Sequence, residues 1–185
     1  MHHPLQSHVF STAAGYCAIA WHEGGIMRFQ LPTKTADEAA RLMLRKVPAA
    51  KPTEATADIR DLIDRVKAYF AGERVEFLGV ALDLGEQSDF FSKVYASVRS
   101  LPWGHATTYG ALAKELGAGP EAARDVGQAM AKNPVPLIIP CHRVLAAGGK
   151  LGGFSAPGGV TAKVHMLELE GIVSKAQDEA QASLF

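Results

Sequence analysis

Asn133-Pro134-Val135-Pro136-Leu137-Ile138-Ile139-Pro140-Cys141-His142-Arg143 is the stretch on which the reading of this 185-residue chain turns. Leu137, Ile138 and Ile139 make an apolar run with prolines on both sides. Because proline fixes φ and removes a donor, the run predicts a buried extended segment halted at a tight bend. Cys141 then sits at the bend. His142 and Arg143 follow it, a potential base and a permanent positive charge. Proximity to positive charge or to an oriented imidazole lowers the pKa of a thiol and makes it a nucleophile. A structural cysteine would have apolar neighbours instead. The tripeptide alone leaves both readings open, a reactive thiol or a buried free cysteine.

The whole chain is 48% hydrophobic and 21% charged, the balance of an ordinary soluble protein with one large domain or two small ones. No apolar run approaches the ~18 residues that a membrane helix needs. Met1 to His8 lacks the basic and apolar regions of a secretory signal, so a cytoplasmic location is expected. Cys17 and Cys141 are far apart and show no CxxC spacing, which argues against a disulfide framework or a four-cysteine zinc site. Both are expected as free thiols. Met1-His2-His3 and His8 are expected to be solvated, so no metal is assigned to them. The formal net charge is zero, yet residues 90–170 carry eight basic and five acidic side chains. That mild excess suits a polyanion but falls short of the dense basic stripe that signals nucleic-acid binding unaided.

In the first half, β-rich runs at Tyr16 to His22 and Ile26 to Gln30 flank Glu23-Gly24-Gly25, a hairpin signal. Cys17 lies in the first run with no titrating neighbour and is expected to fill core. Thr35 to Lys46 and Ala57 to Gly72 read as helices, the second with Ile59, Leu62, Ile63, Val66 and Phe70 on one face. Val47 to Thr56 reads as a loop and Val75 to Leu84 as a further extended stretch. Residues 1–85 therefore form a small α+β scaffold with no visible chemistry. A second unit, residues 86–171, begins where Ser88 caps a helix bearing Phe90, Phe91, Val94, Tyr95 and Val98 and ending before Pro102. Ala111 to Leu116 and Glu121 to Lys132 read as two short helices joined by Gly117-Ala118-Gly119-Pro120, a helix-turn-helix pattern. On the second, Ala122, Ala123, Gly127 and Ala129 leave little bulk, so its backbone would approach a groove closely while Arg124 inserts. A helix packed tightly inside a bundle has the same composition.

Four quoted segments together carry a resemblance. Tyr109-Gly110-x-Leu112-Ala113, Ala122-Ala123-Arg124-x-Val126-Gly127, Asn133-Pro134-x-Pro136-x-Ile138-Ile139-Pro140-Cys141-His142-Arg143-Val144 and Leu167-x-Leu169-Glu170-Gly171 stand in this order. They resemble the O6-alkylguanine-DNA alkyltransferases, also called methylated-DNA–protein-cysteine methyltransferases, from Phe90 to Gly171. The resemblance implies an α/β (α+β) chain, with a ribonuclease-H-like N-terminal domain followed by a mainly helical DNA-binding domain. It also implies direct transfer of an alkyl group from O6 of a damaged guanine to Cys141, with no cofactor. By the same resemblance Glu170 orients His142, which activates Cys141 through a water, and Asn133 holds the loop. Tyr109 hydrogen-bonds the guanine, helps to protonate it and crowds its 3′ phosphate. The Val144 carbonyl and the Ser155 amide read the base edges, and Arg143 braces the site. Arg124 fills the stack after the base is extruded, with Ala122, Ala123 and Gly127 against the minor groove.

The chemistry of the residues agrees with this. A thiolate is soft and nucleophilic enough to take an alkyl group at neutral pH, and the thioether it becomes has no activated leaving group. Each molecule is therefore expected to act once, as a monomer on double-stranded DNA. Asp125 departs from the family pattern by placing a negative charge beside Arg124, which implies weaker phosphate contact. Pro157, within Phe154 to Gly159, departs from it in the loop lining the base pocket. Two other classes of function stay open at this point, a non-catalytic DNA-binding module and a thiol hydrolase using Cys141 and His142. Residues 172–185 read as a flexible polar tail ending in Gln181-Ala182-Ser183-Leu184-Phe185. That pentapeptide resembles the peptide with which bacterial repair proteins dock on the sliding clamp, where Leu184 and Phe185 would fill an apolar pocket and Gln181 its rim.

Overall fold

The computed structural model describes residues 4–151 and 159–172, and the chain divides into two compact units. Residues up to Glu86 form the first together with Pro134–Ile138. Gln87–Asn133 and the residues from Ile139 onward form the second.

The first unit is built on a four-stranded sheet in the order β3-β2-β1-β4, with β1 at Gln6–Thr12, β2 at Gly15–His22, β3 at Gly25–Thr33 and β4 at Lys51–Pro52. The β2–β3 hairpin lies where Glu23-Gly24-Gly25 predicts it. β1 pairs antiparallel with β2 and parallel with β4, so the sheet is mixed. Sequence reasoning misses β1 because only Ser7 and Phe10 of its seven residues are buried, which leaves no apolar alternation to read. Its strand state comes from the ladders on both sides. On β2, successive side chains face opposite ways. Ala18 and Ala20 meet Ala39, Met43 and Val47 of helix α1 (Ala36–Lys46) on one face. Cys17 and Ile19 share the other with Phe10 and Phe29, their cross-strand partners.

Helix α1 is capped by Thr35, whose hydroxyl accepts from the Glu38 amide. Helix α2 (Ala57–Phe70) has no such side-chain cap at Thr56. Its predicted stripe of Ile59, Leu62, Ile63, Val66 and Phe70 is buried. At about 1.5–3 kcal/mol per fully buried apolar side chain, that stripe outweighs a missing cap worth about 1 kcal/mol. Two expectations need correction here. Val75 to Leu84 is not an extended stretch: a turn at Leu78-Gly79 interrupts it, and a single parallel bridge from Leu82 to Ile26 is its strand-like contact. The loop from Val47 to Thr56 contains the short strand β4.

Pro134–Ile138 also differs from the sequence reading. Leu137, Ile138 and Ile139 are buried as predicted, and so is Val135, but the segment turns at Leu137 and Ile138 and does not run straight. Leu137 has φ +77°, a left-handed conformation that costs a non-glycine residue on the order of 1–2 kcal/mol. Burial of the leucine side chain offsets that cost. The Phe29 amide on β3 donates to the Pro134 carbonyl at 3.0 Å, fixing where the segment begins.

The second unit contains α3 (Asp89–Arg99), α4 (Tyr109–Glu115), α5 (Ala122–Ala131) and α6 (Gly159–Leu169). A two-stranded parallel ladder joins β5 (Thr107–Thr108) to β6 (Val144–Leu145). Ser88 caps α3 as predicted, and the Tyr95 hydroxyl on α3 donates to the Ala129 carbonyl on α5 at 2.9 Å. Helix α4 starts at Tyr109, two residues earlier than predicted, because Thr108 is its cap and accepts from the Ala111 amide. Its end explains the turn of the helix-turn-helix. Gly117, at φ +74°, donates to Lys114, and Ala118 donates to Ala113, the paired bonds of a Schellman stop. Among the described residues no helix is long and apolar enough to cross a membrane.

Candidate active site

Cys141, His142 and Arg143 form one turn of 3-10 helix after Pro140, and all three side chains are buried. The predicted bend exists, and from it the side chains of His142 and Arg143 converge on one carboxylate. His142 Nε2 pairs with Glu170 Oε2 just beyond α6, while Arg143 Nε donates to Glu170 Oε1 at 2.6 Å and Arg143 Nη1 to the Leu101 carbonyl at 2.6 Å. Glu170 therefore accepts on both oxygens from residues adjacent in sequence. A carboxylate only accepts, so His142 carries its proton on Nε2, and Nδ1 is left as an acceptor. Nδ1 is buried and takes no hydrogen bond from a described residue. Burial holds the imidazole below its ordinary pKa, with the Glu170 bond partly opposing, so His142 is a neutral base.

The thiol corrects one expectation. Burial pushes the Cys141 pKa up, and Arg143 is not what counters it, because that guanidinium is committed to Glu170 and Leu101. The opposing influences are a hydrogen bond from the Asn133 side chain, the charge of Lys163, and the backbone amides of Cys141 and His142. Asn133 also donates from Nδ2 to the Ile139 carbonyl at 2.9 Å, closing the loop from its start to the residue before Pro140. Tyr109 is half-buried at the first turn of α4. The β5–β6 ladder sets Thr107 and Thr108 beside Val144 and Leu145, which brings Tyr109 close enough to feel the Cys141 charge. Burial, more than that charge, raises the phenol.

Lys163 is the residue that sequence reasoning missed. It is 1% exposed, and its Nζ donates to the carbonyls of Val144 at 3.0 Å and Leu151 at 2.5 Å. The signal was present in the spacing: Lys163, Leu167 and Glu170 recur at i, i+4 and i+7, two charges on the apolar face of one helix. On α5, Arg124 and Asp125 are exposed, Ala123 and Gly127 are half-buried, and Ala122 faces inward. A Cβ on Gly127 would meet nothing within 4 Å, so internal packing does not demand a glycine there. Ser155, Pro157 and the tail from Gln181 to Phe185 lie outside the described residues. Cys17 is a buried core thiol whose pKa burial pushes up. Among the described residues no cluster of three or more His, Cys, Asp or Glu side chains could hold a metal ion.

Comparison with known proteins gives a consistent result. The family description "6-O-methylguanine DNA methyltransferase, DNA binding domain" matches residues 89–172. A methylated-DNA–protein-cysteine methyltransferase of Mycobacterium tuberculosis is 44% identical over 123 residues, 66% of this chain and 69% of that protein. A DNA base-flipping protein of Thermus thermophilus is 44% identical over 108 residues, 58% of this chain and 70% of that protein. The structure of Mycobacterium tuberculosis OGT in complex with DNA superposes with a TM-score of 0.73 at 32% identity, covering 89% of this chain and 92% of that one.

Proposed function

Because the chain belongs to the methylated-DNA–protein-cysteine methyltransferase family and is an O6-methylguanine DNA methyltransferase acting in DNA repair, we propose that Cys141 is its alkyl acceptor and that Glu170, His142, Asn133 and Tyr109 drive the transfer. The tautomer of His142 carries this reading. With Nε2–H committed to Glu170, Nδ1 is a buried acceptor one residue from the thiol. The thiol proton passes to Nδ1 through a water. The thiolate attacks the alkyl carbon, an S–C bond forms, and the C–O6 bond breaks with its electron pair going to the guanine. As that charge develops Tyr109 passes its phenolic proton to the base and is reprotonated through water from the His142 imidazolium, so the thiol's proton ends on the guanine. Asn133 supports the reacting geometry by bonding both the loop and the thiol. Arg143 braces Glu170, while the Val144 carbonyl and the Ser155 amide hold the base edges. Residues 86–171 are then the working domain and residues 1–85 its scaffold. Weighing the intact protein after incubation with an O6-methylguanine oligonucleotide tests the scheme: a gain of one methyl group per molecule, mapped to Cys141, is expected. An unchanged mass with DNA still bound would reduce the protein to a lesion-binding module.

The substrate is double-stranded DNA with the damaged guanine turned out of the stack. Arg124, exposed on α5 above Ala123 and Gly127, suits the gap, and the open space at Gly127 suits close approach of a sugar-phosphate backbone. Ala122 supports that surface from behind. Arg124→Ala is expected to slow single-turnover repair of duplex DNA by about 10-fold or more, a loss of ~1.4 kcal/mol, while reaction with free O6-benzylguanine stays near wild type. Equal loss on both substrates would make Arg124 a structural residue. Work on chromosomal DNA implies a monomer in the cytoplasm, associated with the nucleoid. Gln181, Leu184 and Phe185 supply a contact with a sliding clamp. Deleting residues 181–185 is expected to abolish micromolar clamp binding by titration, about −8 kcal/mol, without changing transfer on short oligonucleotides. Full-length protein that does not bind a purified bacterial clamp at high micromolar concentration would end that assignment.

A further inference from the structure

The first unit holds a cavity of about 680 Å³ that the alkyl-transfer scheme does not use. One wall is a rung of the sheet, where Trp21 on β2 stands between Gln6 of β1 and Ile26 of β3. The first turns of α2 form a second wall through Asp58, Ile59, Asp61 and Leu62, and residues 79–81 form a third. That third wall is fastened whatever fills the space. The Ile26 amide donates to the Ala81 carbonyl at 2.9 Å, the Asp83 amide to the Ile26 carbonyl at 2.9 Å, and His22 Nε2 to Asp83 Oδ2 at 2.7 Å. Gly25 permits the approach: at φ +136° it lies so close that a Cβ would stand 2.8 Å from the Ala81 carbonyl oxygen.

Charge is spread unevenly over these walls. Trp21, Ile26, Ile59, Leu62 and Val80 are apolar, whereas the exposed carboxylates of Asp58 and Asp61 stand three residues apart on α2, neighbours on one helix face. Glu23 adds a third acidic group to the lining. Arg65, the one permanent cation on the lining among the described residues, lies four residues after Asp61, the spacing of a helical ion pair. It is engaged elsewhere, donating to the Glu76 carbonyl and lying 5.5 Å from the centre of the Phe77 ring. His22 is engaged too, donating to Asp83 and accepting from the Gly24 amide at 2.8 Å. Asp58 also serves the fold, because an acid in the first turn complements the positive end of a helix whose Thr56 makes no side-chain cap. Asp61, one turn further on, has no such role and no ion pair with a described residue.

We propose that this cavity binds a small organic cation, an amine with an aromatic or alkyl body, whose ammonium is held by Asp61 and Asp58 while its body lies against Trp21, Ile26, Ile59 and Leu62. The volume falls within the range of about 300–1,000 Å³ that small organic ligands occupy. The hydrogen-bonding capacity matches as well, since an ammonium only donates and two carboxylates only accept. A ligand bearing a carboxylate or phosphate would meet like charge on the same rim, and a neutral apolar molecule would cover the walls while leaving the acids without a counter-charge. None of these residues takes part in alkyl transfer, so occupancy is expected to leave the repair reaction unchanged.

The test uses the full-length protein carrying Trp103→Phe, which leaves Trp21 as its one tryptophan. Three probes of similar shape are titrated, with Trp21 fluorescence and calorimetry as readouts: 2-phenylethylamine, 2-phenylethanol and 3-phenylpropionate. The amine is expected to bind with a Kd of about 1 mM or tighter, and the other two about 10-fold more weakly or worse. Asp61→Asn is expected to weaken amine binding by about 10-fold, and Asp58→Asn by less. Asp61→Lys is expected to reverse the order, so that 3-phenylpropionate binds best. Methyl uptake from an O6-methylguanine oligonucleotide at the parent level shows that each variant is folded. Should a variant not fold, the ranking of the three probes on the parent protein decides alone. No response to the amine up to about 10 mM, equal affinity for the three probes, or parent-like amine binding by folded Asp61→Asn would overturn the proposal. Amine binding that appears only after residues 1–3 are deleted would overturn it too, because the cavity would then belong to the start of the chain itself.

Discussion

Cys141→Ala is expected to abolish alkyl transfer completely while leaving binding to a duplex containing O6-methylguanine largely intact. No second thiol substitutes for the first: Cys17 is buried in the sheet of the other unit, and burial holds its thiol protonated. The loss should therefore be total and not merely large. Binding should survive because, in the proposed scheme, it draws on the α5 surface, the Tyr109 phenol and the Val144 carbonyl, none of which depends on sulfur. Removing one buried sulfur leaves a cavity about the size of a methylene group, which costs on the order of 1 kcal/mol and does not unfold the unit. Intact-mass measurement after incubation with the methylated oligonucleotide, alongside a gel-shift titration of the same variant, checks both halves. A methyl group still acquired by Cys141→Ala would disprove the acceptor assignment, and binding lost together with transfer would mean that the sulfur holds the pocket open.

Much of this site is legible in the sequence, and the reasons are local. Proline and apolar residues around Leu137–Ile139 predict burial and a stop at Cys141, and both are found. The capping hydroxyls of Thr35 and Ser88 and the Gly117 stop of α4 act through one turn of chain, so they can be read from neighbours. The failures share the opposite cause. β1 becomes a strand through ladders to β2 and β4, not through its own pattern. Leu137 takes a left-handed φ because the Phe29–Pro134 bond and burial of its side chain decide the path of the segment. Tertiary contact overrides local preference in each case.

The electrostatics of the thiol show the same division. Adjacency in sequence suggested that Arg143 would lower the Cys141 pKa. In the 3-10 turn, however, Arg143 ends on Glu170, the carboxylate that also holds His142. The cation that does act on the sulfur is Lys163, 22 positions away, brought there by α6. Sequence resemblance pointed to His142 and Glu170, which the structure brings together. It was silent on Lys163, which sits between motifs.

The second large effect is expected at Glu170, where two substitutions separate chemistry from folding. Glu170→Ala strands a buried guanidinium and a buried imidazole at once. Breaking such an arrangement by removing one partner costs about 3–5 kcal/mol, a large share of the stability of a small unit. Glu170→Gln keeps the shape and is the more informative change. If its carbonyl oxygen turns to Arg143, its amide donates to His142 Nε2, and the imidazole proton moves to Nδ1. That nitrogen then has no lone pair for the thiol proton, so the base is lost although every side chain remains in place. If the amide turns the other way, two donors face each other at Arg143, and the turn bearing Cys141 is disturbed. Both orientations predict a single-turnover rate on O6-methylguanine duplex lowered by about 10²–10⁴-fold, with Glu170→Gln retaining far more thermal stability than Glu170→Ala. Stopped-time mass measurement of methyl uptake, paired with thermal melts of the two variants, tests this. Wild-type transfer by Glu170→Gln would show that the proton leaves Cys141 by a route that does not involve His142.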